Sequence, residues 1–188
     1  MNFFNRATLM KAHALLAAMI LPAALMFFIT GALYTWGVKG GYETTSHEVH
    51  LKTPLTGQLG EMVTLAEAAL AKQAVAVPSG HAKIKKIGEA FKLEWTGSQR
   101  DVVLVPTADP LIATLQIKNT SGYRQFVQLH KAKGGTPFKV YAAVFATALM
   151  LILFSGFMMA WKMPNLRKLT IMSTSFGVVL FAAVVMSS

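Results

Sequence analysis

Cysteine is absent from the 188-residue chain, and charged residues are scarce. The lack of cysteine excludes disulfides, iron–sulfur clusters and thiolate ligation of haem. Only 14% of the residues are charged, whereas 54% are hydrophobic. This balance excludes an ordinary soluble domain. Because the chain has no cysteine, any redox role must use a bound cofactor.

Three stretches contain no charged residue at all, namely 14–38, 140–161 and 169–188. Each is long enough for the ~20 residues that a helix needs to cross a hydrocarbon core of ~30 Å. Bulky Tyr34 and Trp36 stand where a signal peptide would have small cleavage-site residues. We therefore expect three transmembrane helices, the first retained as an anchor.

The short flanks of these stretches predict their orientation. The N-terminus carries Arg6 and Lys11, and the link between the second and third stretches carries Lys162, Arg167 and Lys168, with no acidic residue in either. Basic flanks favour the cytoplasmic side. We expect a cytoplasmic N-terminus, with the main domain and the C-terminus outside the cytoplasm. The predicted boundaries are the N-terminus and first helix over 1–38, the external domain over 39–133, the second helix over 134–161, a cytoplasmic loop over 162–168 and the third helix over 169–188.

The external segment has the pattern of a small α+β unit. Residues 64–72 predict a helix, with Thr64 as its cap and Glu67 at capping-box spacing. Four β-like runs follow, separated by turn residues, over 82–87, 91–95, 102–105 and 112–117. The predicted fold class is thus an α-helical membrane protein with three transmembrane helices and a small α+β extracytoplasmic domain.

The net charge of +10 does not predict a nucleic-acid partner, because no basic run or nucleic-acid motif accompanies it. The spans contain no acidic residue, which argues against a proton-coupled transporter. No glycine-rich nucleotide-binding motif is present either. Electrons for a redox reaction would therefore have to come from a quinol or a partner reductase.

Several segments together resemble the PepSY-associated transmembrane family, and the external domain resembles a PepSY unit. In chain order they are His13, Thr30-Gly31-Ala32-Leu33, Thr64-Leu65-Ala66-Glu67-Ala68, Leu129-His130-Lys131-Ala132-Lys133-Gly134-Gly135 and Phe154-Ser155-Gly156-Phe157-Met158-Met159-Ala160-Trp161. That family includes haem-containing bacterial inner-membrane proteins that reduce ferric iron or ferric siderophores. The resemblance implies haem b, a periplasmic domain and ferric reductase activity that supports ferrous iron uptake. PepSY units also occur in proteins thought to restrain proteases or to assist assembly, so a non-enzymatic role is the alternative.

Two histidines near the ends of the spans are the candidate haem ligands. His13 lies at the mouth of the first span, where an ionisable side chain is costly. On its residues alone it either reaches the headgroups beside Lys11 or binds a ligand. His130 lies shortly before Pro137 and either belongs to an interfacial amphipathic turn or binds a ligand. With the resemblance, we expect both to be axial haem ligands.

The length of the first span limits how these histidines share cofactors. Its two ends are roughly 37 Å apart at 1.5 Å per residue, so one iron cannot bind both His13 and His130. Met158 or Met159 is one candidate partner for His13. The other arrangement is a homodimer, in which each histidine pairs with its own copy on a two-fold axis. We expect the dimer for at least one of the sites.

The remaining histidines predict less. His47 and His50 form a His-x-x-His pair that would share one face of a helix and could bind metal. The surrounding residues favour extended chain, which separates the two rings. His81 is expected in a solvated turn. Basic residues outnumber acidic ones over 39–139, which would attract ferric iron in an anionic chelate.

Overall fold

The computed structural model describes residues 6–188, so the first five residues of the predicted cytoplasmic N-terminus lie outside the described residues. The described residues form five helices and five strands. In chain order these are α1 (Arg6–Thr35), β1 (Tyr42–His50), α2 (Leu59–Lys72), β2 (Ala82–Ile87), β3 (Ala90–Trp95), β4 (Arg100–Pro106), β5 (Ile112–Thr120), α3 (Gly122–His130), α4 (Thr136–Lys162) and α5 (Pro164–Ser187).

Helices α1, α4 and α5 are long and apolar enough to cross a membrane, with mean hydropathy of 2.2, 2.2 and 2.1. This confirms the three helices predicted from the uncharged stretches. The second and third are separated by Met163 alone, because α5 begins at Pro164 rather than at residue 169. Proline suits the first turn of a helix, where its missing N–H costs nothing. The predicted loop over 162–168 is therefore mostly helical.

The chain forms two compact units, one combining the described residues up to Ala24 with Ala143–Ser188 and the other running from Leu25 to Ala142. In the first unit the buried side chains of α1 and α4 are mostly small. They are Ile20, Ala23, Ala24, Phe145 and Ala148. Small side chains let membrane helices approach closely. No side chain of α5 is buried.

The second unit contains an antiparallel sheet in the order β1-β5-β4-β3-β2. Alternate side chains of its inner strands, such as Leu93, Leu104 and Leu115, are fully buried against α2. This alternation places one face of the sheet on a helix. The four predicted strands are confirmed, and the extended chain predicted around His47 and His50 is β1, an edge strand.

Helix α2 begins five residues before Thr64, so the predicted capping box is wrong. Its N-cap is Gln58, and the Thr64 hydroxyl donates to the carbonyl of Gly60 at 3.0 Å from inside the helix. The helix extends toward its N-terminus because Met62 is 1% exposed and continues the buried stripe of the later turns. Burial of an apolar side chain therefore outweighs the local capping preference.

Helix α3 lies on the opposite face of the sheet from α2. Asp101 alternates with the core residue Val102 along β4, and Gln128 of α3 donates to the Asp101 carboxylate. The stretch around His130, for which one interpretation was an interfacial amphipathic turn, is thus a helix that ends at His130. Ala132 follows with a positive φ of 56°, and Lys133 N–H donates to the Gln128 carbonyl at 3.0 Å. This αL turn closes α3 before α4 begins.

Candidate functional site

His13 is half-buried on α1 and is oriented by a hydroxyl of α4. Its Nδ1 lies 2.8 Å from Ser155 Oγ, and that hydroxyl donates its hydrogen to the carbonyl of Ile152 at 3.0 Å. Since a hydroxyl has a single hydrogen, Ser155 Oγ accepts from Nδ1–H. This network assigns the tautomer in which Nε2 of His13 keeps its lone pair. Nε2 is therefore the ring atom that can bind a metal.

An apolar cleft of about 420 Å³ lies beside the His13 ring. Its lining comes from one face of α1 and from the C-terminal part of α4 with the residue that follows it: Met10, His13, Ala14, Gly156, Met159, Ala160 and Met163. Of the two methionines predicted as alternative ligands, Met159 lines this cleft and Met158 is not among its lining residues. Met10 and Met163 were not selected from the sequence as lining residues. Met10 lies three residues before His13, and Met163 lies four residues after Met159, which are spacings that bring side chains together on one helix face. The cleft thus offers imidazole and thioether ligands together.

Gly156 follows Ser155 and leaves room for the edge of the His13 ring. A Cβ at this position would lie 3.5 Å from Cε1 of His13, which is an ordinary van der Waals contact. Ser155 therefore provides the hydrogen bond, and the space beside Gly156 would also accept the Cβ of an alanine.

His130 is exposed at the end of α3 and is oriented in the same way by α1. Its Nδ1 lies 2.9 Å from Oγ1 of Thr30, a residue only 3% exposed. The Thr30 hydroxyl donates to the carbonyl of Met26 one turn earlier, at 2.5 Å. Thr30 Oγ1 therefore accepts from Nδ1–H of His130, and Nε2 again keeps its lone pair.

The His130 ring fits more tightly than the His13 ring. A Cβ at Gly31 would lie 3.1 Å from Cε1 of His130, closer than about nine in ten such contacts in proteins. Phe27 packs against the same ring, with centroids 5.2 Å apart and planes inclined by 51°. Only glycine at position 31 therefore accommodates the ring without a shift of its neighbours.

The two arrangements share a hydroxyl residue followed by glycine, opposite a histidine. Both pairs, Thr30-Gly31 and Ser155-Gly156, belong to the segments that carried the family resemblance. Their roles were nevertheless missed, because 100 and 142 residues separate each hydroxyl from its histidine. The sequence signal that could have indicated these partners is a hydroxyl residue followed by glycine on an apolar helix.

The remaining histidines form no comparable site. His47 and His50, three residues apart on β1, point to opposite faces of the strand. Within residues 6–188 no cluster of three or more His, Asp or Glu side chains is placed to hold a metal ion. His81 is exposed, as predicted, and its Nε2 contacts Lys139 Nζ at 2.5 Å.

Three lysines surround a single carboxylate on the outer part of the sheet. Lys92, Lys85 and Lys83 approach Glu94 at 2.8, 2.9 and 3.9 Å. Burial raises the pKa of Glu94 as the largest single effect, but the hydrogen bonds and charges of Lys92 and Lys85 together lower it to about 2. The cluster keeps an excess of positive charge around Glu94.

The sequence profile of the PepSY-associated TM region matches residues 3–163. The match includes both histidines and both hydroxyl-glycine pairs. Comparison with curated proteins gives no match, and comparison with solved structures gives none either.

Proposed function

The chain belongs to the PepSY-associated transmembrane family, and from this premise we propose that it is a b-type haem protein of the bacterial inner membrane that reduces ferric iron. The observation that carries the proposal is the shared geometry of His13 and His130. Each ring donates Nδ1–H to a hydroxyl and keeps Nε2 as a ligand atom. A hydrogen bond at the second ring nitrogen is the usual way in which proteins orient a metal-binding histidine.

The surroundings of both rings fit haem. Imidazole is a common axial ligand, and the cleft beside His13 is lined by methionine, alanine and glycine rather than by charged groups. When bound, haem supplies the one-electron chemistry. The residues of this chain hold the ligand rings in one tautomer and one orientation.

A second copy of the chain best completes the site at His130. His130 is exposed, and the described neighbours of its ring, Phe27, Thr30 and Gly31, contain no further haem ligand. We propose that His130 pairs with His130 of the partner subunit across a two-fold axis. His13 has two options: the same pairing with its own copy, or a thioether such as Met159 within one chain.

Charge supports the direction of the reaction. Basic flanks favour a cytoplasmic N-terminus, with the α+β domain and the C-terminus in the periplasm. The donor in this proposal is a quinol or a partner reductase. The lysines around Glu94 would attract ferric iron held in an anionic chelate.

Spectroscopy of the full-length protein in mild detergent tests the haem assignment. Wild type should show a reduced b-type α-band, and the double variant His13→Ala/His130→Ala should lose it. The matched control His81→Ala removes an exposed histidine of the same chain and should keep the full absorbance. A colourless wild type would overturn the proposal and favour the non-enzymatic alternative.

Reoxidation tests the acceptor separately. Chemically reduced wild type is mixed with ferric citrate without oxygen, and the α-band is followed with time. We expect the band to decay as ferrous iron forms, which a ferrous chelator measures. A band that persists would reject ferric iron as the acceptor while leaving the haem assignment intact.

A further inference from the structure

A buried carboxylate on β4 accepts hydrogen bonds from several parts of the second unit. Asp101 is 8% exposed, and its oxygens accept from Tyr42 Oη at 2.7 Å and from the backbone N–H of Gly97 at 3.0 Å. They also accept from Gln128 Nε2 at 3.1 Å and from Lys133 Nζ at 3.5 Å. One carboxylate thus connects β1, the turn before β4, α3 and the segment after α3.

Arg124 extends this network to the segment after α1. Its Nη2 donates to Tyr42 Oη, and its Nη1 donates to the carbonyl of Lys39, both at 2.9 Å. The guanidinium also stacks on the Tyr42 ring, 4.6 Å from the centroid. Burial and the hydrogen bond to Asp101 raise the pKa of Tyr42, so the phenol keeps the proton that it donates. Helix α3 is therefore held at two successive turns.

Two side chains that contact Asp101 flank His130 along the chain. Gln128 is fully buried and precedes His130 by two residues, and Lys133 follows it by three. The backbone bond from Lys133 N–H to the Gln128 carbonyl closes this loop. A shift of Gln128 or Lys133 must therefore move the His130 backbone.

We propose that Asp101 is a positioning residue for His130. It fixes α3 so that the His130 ring meets Thr30 and Gly31 in the geometry that leaves Nε2 free for a ligand. Asp101 does not touch the His130 ring, so its influence passes through Gln128 and Lys133. The haem aspect of this inference rests on the proposed function, whereas the ring orientation does not.

An amide cannot replace this carboxylate. The substitution Asp101→Asn would keep one acceptor oxygen but would point an N–H₂ group at donors that include Gln128 and Lys133. Burial lowers the pKa of Lys133 and the Asp101 charge opposes that shift, so the lysine would lose its compensating anion. The ring lies close to Gly31 and 2.9 Å from Thr30 Oγ1, so a displacement of α3 would change the geometry of that bond.

Haem titration of full-length protein tests the proposal in a His13→Ala background, where only the His130 site contributes. Asp101→Asn should weaken haem binding by about tenfold or more, as for other groups that orient metal ligands. The matched control Asp109→Asn changes an exposed carboxylate of the same domain and should leave binding unchanged. In a His130→Ala background, Asp101→Asn should leave the remaining haem unaffected.

Tyr42→Phe is a milder second variant if Asp101→Asn fails to accumulate. It removes one donor to Asp101 and the acceptor of Arg124 but keeps the ring, so we expect a smaller loss in the same direction. The test compares haem binding in the His13→Ala background with and without each of these substitutions. If neither Asp101→Asn nor Tyr42→Phe weakens binding, the positioning role of Asp101 is overturned, whereas the proposed haem function is not.

Nitrogen NMR of the histidine rings in haem-free protein gives a readout that does not require the proposed function. Wild type should show His130 as the Nδ1–H tautomer, and Asp101→Asn should shift it toward a mixture of tautomers. An unchanged His130 spectrum in Asp101→Asn would reject the positioning role. Wild type that binds no haem would reject the proposed function while leaving this test in place.

Discussion

The His13 and His130 sites use the same local chemistry in two regions of different construction. At each, a hydroxyl that already donates to its own helix accepts from histidine Nδ1, and a glycine follows the hydroxyl residue. At the first site the histidine and the hydroxyl-glycine pair both lie on long apolar helices. At the second, the histidine lies at the end of a short helix of the α+β domain. The difference shows that the orientation of His130 depends on a folded domain, whereas that of His13 depends on helix packing alone.

The two regions also differ in packing and charge. The His13 ring borders an open cleft with methionines, whereas the His130 ring is confined by Gly31 and Phe27. All eight Asp and Glu residues of the chain lie between Glu43 and Asp109, so none belongs to the unit that contains His13. Changes in steric fit should therefore affect the His130 site more strongly, and changes in carboxylate charge should act on the α+β domain.

Removal of the orienting hydroxyls should have the largest effect and should be similar at both sites. Ser155→Ala and Thr30→Val each leave histidine Nδ1–H without its acceptor. We expect each to weaken haem binding at its own site by about 10- to 100-fold, as for other groups that orient metal-binding histidines. Haem titration in the His130→Ala and His13→Ala backgrounds, respectively, measures each site alone.

Thr170→Val is the matched control for these variants, because its hydroxyl donates only to the carbonyl of Leu166 in α5. It should leave both sites unchanged. Full affinity in either Ser155→Ala or Thr30→Val would show that the hydroxyl at that position does not orient the ring.

Alanine at the two glycines should separate the sites. Gly31→Ala places a Cβ 3.1 Å from the His130 ring, whereas Gly156→Ala places one 3.5 Å from the His13 ring. We expect about a tenfold loss of haem affinity for Gly31→Ala and less than about threefold for Gly156→Ala, because overpacking is costly only where neighbours cannot move. Titration in the same two backgrounds measures both, and equal losses would contradict the difference in fit.

Glycine at the strained turn after α3 should stabilise the domain that carries His130. Ala132 has a positive φ of 56°, which costs a non-glycine residue about 1–2 kcal/mol. The flexibility of glycine in the unfolded chain offsets part of the gain, so we expect Ala132→Gly to add about 0.5 kcal/mol. Ala74, which follows α2 and has a φ of 52°, lies in a turn of the same kind away from His130, so Ala74→Gly should stabilise the domain to a similar extent. Thermal unfolding followed by circular dichroism measures both; a loss of stability in both variants would show that the turns are unstrained.

Acid should weaken the α+β domain through the loss of the Glu94 charge. The folded pKa of Glu94 lies near 2, below its ordinary value of 4.5, so its stabilising effect is complete above about pH 4.5 and is lost as the pH falls toward 2. Solvent screening keeps this effect the smallest of the four. Glu94→Gln should therefore reduce the change in the free energy of unfolding of the domain between about pH 5 and about pH 3. An identical pH profile in wild type and Glu94→Gln would contradict this contribution.

Local patterns predicted most of the architecture. Uncharged length predicted the three long helices, and β-like runs separated by turn residues predicted four of the five strands. Thr64 was misread as a cap because the burial of Met62, which extends α2, depends on the sheet packed against it. The strand β1 was foreseen only as extended chain, since its exposed polar residues show no regular alternation.

The site was predictable only in part, for the same reason. His13 and His130 were chosen as candidate ligands from their positions near the spans and from the resemblance. Their hydroxyl partners depend on contacts across most of the chain, which no local pattern contains. Asp101 follows Arg100 at the start of a strand and looks like a surface residue until the fold brings Gln128 and Lys133 to it.

Paramagnetic resonance of the oxidised full-length protein tests the central claim most directly, because it resolves low-spin haem sites by their ligands. Wild type should show two low-spin signals. His13→Ala should remove one and His130→Ala the other, each leaving its counterpart unchanged. A single signal that both variants abolish, or two signals that persist in both, would contradict the assignment of separate haem sites to the two histidines.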